Sequence, residues 1–292
     1  MSAKKTLVTV YVTTCNRADL LSRALDSVIA QDYRPLEVIV VDDASTDNTD
    51  EVMASYQALT GTDSDFELIA LKHEQNRGAC AARNSAINVA KGEFITGLDD
   101  DDEFMPGRIS GLVSSWTGEY SALCTAKEVD EGDGKFSYLN KYIGRITLNA
   151  LLKKNIVGSQ VFTTTQRLQD IGGFDEAFPA WQDYETWIRM VLSYGDMLKL
   201  PEVSYRVHIG HDKPRITSHQ KSLDAMKLLR AKHGHCLSRH HLRQLHYREL
   251  TAAKTGYSNL SVWIPAMTWR TFPRIIKRWF KATLSGTGEN VT

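Results

Sequence analysis

The first hundred residues alternate apolar, β-branched runs with amphipathic stretches, and that alternation limits the fold more than any other feature. Residues 7–12 (Leu-Val-Thr-Val-Tyr-Val) read as a strand. Leu20, Leu21, Ala24, Leu25, Val28 and Ile29 then recur at helical spacing. Residues 36–41 give a second strand, 50–59 a helix, 66–71 a third and weaker strand, and 76–90 a helix of small residues. This order predicts a parallel sheet with right-handed crossovers and helices on both faces.

The fourth strand carries the chemistry. Phe94-Ile95-Thr96-Gly97-Leu98 runs straight into Asp99-Asp100-Asp101-Asp102-Glu103. Ligands of open α/β sheets bind beyond the carboxyl ends of the strands. Four adjacent aspartates repel one another, and a divalent cation is the simplest reason to hold them together. Hard carboxylate oxygens suit Mg²⁺ or Mn²⁺, which one or two carboxylates hold with the help of substrate phosphates. A solvated acidic turn is the bland alternative. Strand two also ends in carboxylates, at Asp42-Asp43.

Several classes drop out. The GxGxxG turn and the GxxxxGK[ST] loop are absent, which excludes the usual NAD and P-loop chemistries. Neither acidic loop has the EF-hand glycine at its sixth position. Lysine plus arginine and aspartate plus glutamate each number 35, so bulk charge gives no sign of nucleic acid. Cys15, Cys80, Cys124 and Cys236 form no CxxC pair and read as free thiols of a reducing, cytoplasmic compartment. The N-terminus lacks a signal-peptide pattern, and no apolar run is long enough to span a bilayer.

Five segments together resemble family-2 glycosyltransferases, over roughly residues 5–210. They are Val12-Thr13-Thr14-Cys15-Asn16-Arg17, Val40-Val41-Asp42-Asp43-Ala44-Ser45 with Thr46-Asp47-Asn48-Thr49, Asn76-Arg77-Gly78 through Arg83-Asn84, Leu98 through Asp102, and Gly172-Gly173-Phe174-Asp175-Glu176 with Gln182 through Arg189. Cys15 departs from the family, which more often has Tyr or Phe there. The resemblance implies the GT-A fold, a Rossmann-like and mostly parallel sheet with helices on both faces. It divides the chain into a catalytic domain, 1–215, and a helical C-terminal region, 216–292. Within the catalytic domain, 1–105 is the nucleotide-sugar half and 106–215 the acceptor half. It also implies an inverting, metal-dependent transfer from a nucleotide diphosphate sugar, UDP-linked, to a hydroxyl of a glycan or lipid-linked acceptor, as in bacterial surface polysaccharide assembly.

Roles follow from the same resemblance. Asp43 would accept from the ring N–H of the base, while Asp42 shapes the loop and Thr13 holds base or ribose. Arg77 would face phosphate or a base carbonyl. Of the aspartate run, Asp99 and Asp100 would serve the nucleotide and Asp101 the metal, Mn²⁺ or Mg²⁺. His208, in the Tyr205-Arg206-Val207-His208 segment, would complete the metal shell. Asp183 is the candidate general base, with Glu185 its runner-up and acceptor contact, and Trp181 would stack on a sugar ring. Each has a structural alternative: Asp42 and Asp43 as turn caps, Arg77 as a surface cation, Asp183 as a helix cap, Trp181 as core. Residues 203–207 read as an edge strand. His211, Lys213 and Arg215 read as a polar lid.

Beyond Ser218 the pattern is helical. His233, His235, His240, His241 and His246 put no trio on one helical face and read as solvated. In 263–281, Trp269, Phe272, Ile275, Ile276, Trp279 and Phe280 share a stripe, and Arg270, Arg274, Lys277, Arg278 and Lys281 fill the rest. A basic amphipathic stretch with tryptophans suits a membrane surface, on the cytoplasmic face. Docking on the catalytic domain, or on a second copy in a homo-oligomer, is the alternative. Two other functions compete. A nucleotidyltransferase on a related fold would need a glycine-rich loop after strand one, and Thr13 through Arg17 has no glycine. A non-catalytic glycan- or membrane-binding protein would not need intact aspartates.

Overall fold

β1 (Val8–Thr14) and β2 (Leu36–Asp42) are buried on both faces, which is why they read as nearly unbroken apolar runs. Their polar exceptions pair inside: Thr9 Oγ1 donates to Glu37 Oε1 at 2.6 Å, and the Lys91 amide donates to the same carboxylate at 2.9 Å. The computed structural model describes residues 5–59, 65–132, 134–139, 142–209, 218–253, 255 and 259–284. The proposed lid residues His211, Lys213 and Arg215 lie outside them. The chain forms two units, Met1–Glu176 with Gln182–Lys213, and Ala177–Trp181 with Pro214–Thr292.

The first unit begins with the expected alternation: α1 (Ala18–Ile29), α2 (Thr49–Ala58), β3 (Phe66–Lys72), α3 (Ala79–Val89) and β4 (Phe94–Asp99). β1, β2, β3 and β4 pair in parallel, in the order β3-β2-β1-β4. Register sets Thr14 beside Asp42 and Thr13 beside Asp99, so three strand tips meet. Past β4 the sheet turns mixed. β5 (Glu103–Phe104), α4 (Arg108–Ser115), β6 (Leu123–Asp130), β7 (Phe136–Leu139), β8 (Gly144–Ile146), α5 (Leu148–Lys153), β9 (Phe162–Thr164), α6 (Thr165–Asp170), α7 (Gln182–Tyr194) and β10 (Met197–His208) complete the unit. The ten-stranded sheet continues from β4 as β9-β6-β10-β5. The expected edge strand at 203–207 is corrected: it is part of β10, which runs inside the sheet between β6 and β5.

Gly97, in β4, is there for space. A Cβ on it would lie 2.1 Å from Gln160 Oε1 and 2.4 Å from the Tyr11 ring, so only glycine lets those two side chains cross the strand.

The second unit contains α8 (His219–His233), α9 (Arg239–Ala252), a 3-10 helix at Leu260–Ala266 and α10 (Phe272–Leu284). Trp263 is fully buried there, edge-on to Tyr247 at 5.8 Å. The expectation of solvated histidines fails for two of them. His233 and His241 are buried, and His241 closes a capping box with Ser238 at the start of α9.

Candidate active site

The repulsion in the aspartate run is relieved by partners from the rest of the chain, Arg83 for Asp99 and Arg17 for Asp100 and Asp101. Asp99 ends β4 and accepts from Arg83 at 3.1 Å and from Gln160 Nε2 at 2.8 Å. The Tyr11 hydroxyl fixes the Gln160 amide by donating to its oxygen at 2.8 Å. Arg17, just before α1, reaches Asp100 at 3.0 Å and Asp101 at 3.1 Å. Asp102 turns inward and accepts the His208 amide at 3.2 Å.

Charge follows these partners. Burial works against an ionised Asp99, but Arg83, Lys127 and donors from Gln160 and Ser159 hold its carboxyl below the usual range. Burial pushes Asp100 up to about 6 against the pull of Arg17. Burial, with Asp99 and Asp101 as neighbours, raises Asp102 well above the ordinary value.

Arg83, on the buried face of α3, joins the aspartate run to the start of α7. Its side chain is 8% exposed, with Nη2 on Asp99 and Nη1 on Asp183 Oδ1 at 2.9 Å. Its guanidinium lies 5.0 Å from the centre of the Phe174 ring. Asn84, the next residue, fixes that ring by gripping the Phe174 backbone, donating to its carbonyl at 2.8 Å and accepting its amide at 2.7 Å. Gly173, at φ +63°, is the residue before it; a Cβ there would meet Asn84 Oδ1 at 2.3 Å. The Gly-Gly-Phe segment is thus a mount for Arg83.

Asp183 sits in the first turn of α7, with its side chain 23% exposed. Burial pushes it up to about 6; Arg83 opposes the rise and Asp99 adds to it. Lys127 on β6 is buried nearby, donates to Ser159 Oγ at 2.8 Å and lies 4.1 Å from the centre of the Tyr205 ring. Burial lowers its pKa, against the pull of Asp102 and Asp99. Neither Arg83 nor Lys127 was expected as a functional residue. A signal was available: Arg83 interrupts the buried face formed by Cys80, Ala81, Ala82, Ala86 and Ile87, and Lys127 sits in register with the inward residues Leu123 and Thr125.

At the tip of β2, Asp42 shapes the loop as expected, accepting the Ser45 amide at 2.8 Å. Asp43 does more than expected. Its Oδ1 accepts from His73 Nδ1 at 2.7 Å and from the Arg77 amide at 2.8 Å, and its Oδ2 accepts the Gly78 amide at 2.7 Å. That leaves Oδ2 one acceptor position. The Arg77 side chain is exposed.

Three expected residues stand elsewhere. His208 puts Nε2 on Glu103 at 2.6 Å and Nδ1 3.4 Å from Asp130, so both ring nitrogens face carboxylates. Glu185 is fully buried and clamps Arg189 with both oxygens at 2.9 Å, which removes it from the groups that can meet an acceptor. Trp181 belongs to the second unit, where Arg248 lies 5.8 Å from its ring centre. Among the described residues, no three His, Cys, Asp or Glu gather as a ready metal cage. The hard oxygens of Asp99 and Asp101, 24% and 22% exposed, still fit a Mg²⁺ or Mn²⁺ that is shared with substrate phosphates.

The sequence profile of glycosyl transferase family 2 matches residues 9–171. The chain belongs to this family. It is 35% identical over 225 residues to WcaA of Escherichia coli (strain K12), provisionally named a colanic acid biosynthesis glycosyl transferase, covering 74% of this chain and 77% of WcaA. It is 29% identical over 210 residues to the Escherichia coli UDP-Glc:alpha-D-GlcNAc-diphosphoundecaprenol beta-1,3-glucosyltransferase WfaP, covering 70% and 78%. The glycosyltransferase shares its fold with two solved enzymes. TarS 1-349 of S. aureus in complex with UDP-GlcNAc superposes with a TM-score of 0.67 at 20% identity, over 94% of this chain and 79% of that one. The mannosyltransferase PcManGT of Pyrobaculum calidifontis, in complex with GDP-Man and Mn²⁺, superposes with a TM-score of 0.60 at 20% identity, over 96% and 81%. The GT-A fold expected of this glycosyltransferase is therefore the one it has.

Proposed function

We propose that the protein is an inverting, divalent-cation-dependent glycosyltransferase that moves a sugar from a UDP-sugar to a hydroxyl of a lipid-linked glycan, in bacterial surface polysaccharide assembly. The observation that carries this reading is the Arg83 bridge, which joins the donor-side Asp99 to Asp183, a partly exposed carboxylate raised toward neutrality. The name of WcaA supports polysaccharide assembly, that of WfaP supports the lipid-linked acceptor, and WfaP and the TarS complex support the uridine donor.

Thr13, Asp43, Arg77, Asp99 and Asp100 bind the nucleotide, with the open acceptor position on Asp43 Oδ2 meeting a ring N–H. Asp101, helped by Asp99, would hold the metal. His208 joins only when its ring leaves Glu103. A bound Mg²⁺ or Mn²⁺ supplies Lewis-acid charge to the diphosphate, and the PcManGT complex with Mn²⁺ supports its presence. The acceptor hydroxyl attacks the anomeric carbon from the side opposite the diphosphate. As the new C–O bond forms and the bond to the diphosphate breaks, Asp183 takes the hydroxyl proton. Arg83 keeps the Asp183 carboxylate aimed and holds Asp99 on the donor. The four free cysteines suit a reducing, cytoplasmic location.

Calorimetric titration with UDP, GDP, CDP and dTDP, with and without Mn²⁺, tests this reading. Manganese-dependent binding of UDP that is lost in Asp101→Ala is the expected result. No binding of any nucleotide would overturn it.

A further inference from the structure

Residues 259–284 of the second unit take no part in the chemistry above, yet their surface is built for contact. Trp263, Ala266 and Ile275 are fully buried and hold the stretch in place. Ile264 is 60% exposed, Trp269 73%, Phe272 50% and Phe280 53%. Phe272, the half-buried Ile276 and Phe280 follow at four-residue spacing, so they form one strip along α10. Arg270, Arg274, Lys277, Arg278 and Lys281 are all exposed around that strip. Residues 250–288 contain no aspartate or glutamate.

Aromatic side chains left in water beside exposed cations, in a stretch without acidic residues, call for an apolar partner with negative charge. A second copy presenting the same face would bring like charges together. A bilayer surface with anionic lipids meets both demands: the rings enter the headgroup–acyl boundary and the cations meet phosphates. We propose that this face, from Ile264 to Lys281, docks the protein on an anionic membrane surface with α10 lying in the headgroup plane. Among the described residues no helix is long and apolar enough to cross a membrane, so the contact is one of lying on the surface. Docking concerns where the proposed transfer takes place and stands or falls apart from it.

The test is flotation of the full chain, without nucleotide or acceptor, on phosphatidylcholine vesicles with and without phosphatidylglycerol. Two variants accompany it: Trp269→Ser with Phe272→Ser and Phe280→Ser, and Arg274→Gln with Lys277→Gln and Lys281→Gln. All six positions are exposed, and unchanged thermal midpoints check the fold. The expected result is binding that requires phosphatidylglycerol and weakens with salt. The charge variant partitions about fivefold less per cation removed. The apolar variant stays with the soluble fraction. Binding of the wild type to neither vesicle, or equal binding by the apolar variant, overturns the proposal. So does a dimer that the apolar variant dissociates while vesicle binding persists. Manganese-dependent nucleotide binding, measured separately, is untouched by any of these outcomes and reports on the transferase reading alone.

Discussion

Arg83 Nη1 lies 2.9 Å from Asp183 Oδ1, a contact that spans a hundred residues of sequence and ties the third helix of the sheet to the start of α7. One buried guanidinium thereby aims the proposed base and restrains the rise in proton affinity that burial gives it.

Replacing that base is the first check. Asp183→Asn keeps a hydrogen-bond acceptor for Arg83 but cannot take a proton. Its kcat should fall by about 10²–10⁴-fold with UDP affinity unchanged. Steady-state kinetics and calorimetry on the same preparation measure the two quantities. Full activity in this variant would assign the proton to another group.

The pH dependence has a definite sign. As the proposed base Asp183 would act only when ionised, and burial has moved it up to about 6 from the ordinary carboxylate value. Log kcat/KM should therefore fall below about pH 6 and level off above it. Arg83 opposes that rise, so Arg83→Met should move the limb to higher pH and Arg83→Lys should move it less. A limb that stays in place in both variants would leave Arg83 a purely structural role.

Asp43 offers a distinction that needs no substrate. A carboxylate used only to read a base has no work in the free protein. Here it accepts from His73 and from the amides of Arg77 and Gly78. Asp43→Ala should lower the stability of the unliganded protein by about 1–3 kcal/mol, measured by urea unfolding.

Gly97→Ala should cost about 1–3 kcal/mol through overpacking against Tyr11 and Gln160. Because Gln160 also donates to Asp99, the variant should lose nucleotide affinity along with stability. Unfolding and titration of one preparation would show the two losses together.

These residues also mark what the sequence makes legible. The parallel strands β1 to β4 could be placed within two residues, because the runs of β1, β2 and β4 are buried on both faces and have few alternatives, and β3, at the sheet edge, is bounded by the helices on either side of it. The carboxylates at their tips were visible for the same reason. The mixed half was harder to read. β10 was seen only in its last third, since its register slips between Leu200 and Tyr205 and breaks the alternation. Arg83 and Lys127 were missed because their partners lie across the fold. Glu185 was the runner-up base by resemblance, but two residues along a helix put side chains on different faces, and Glu185 turns to Arg189 while Asp183 turns to Arg83.

The aspartate run finds its supports within the chain. Arg17 supports Asp100 and Asp101, Arg83 supports Asp99, and Asp102 has the His208 amide. None of these supports has to be imported. Dialysis against a chelator should thus leave the unfolding midpoint where it was while abolishing turnover. In a cell starved of manganese or magnesium the enzyme would persist at its usual abundance and resume work as soon as the ion returned, with no fresh synthesis.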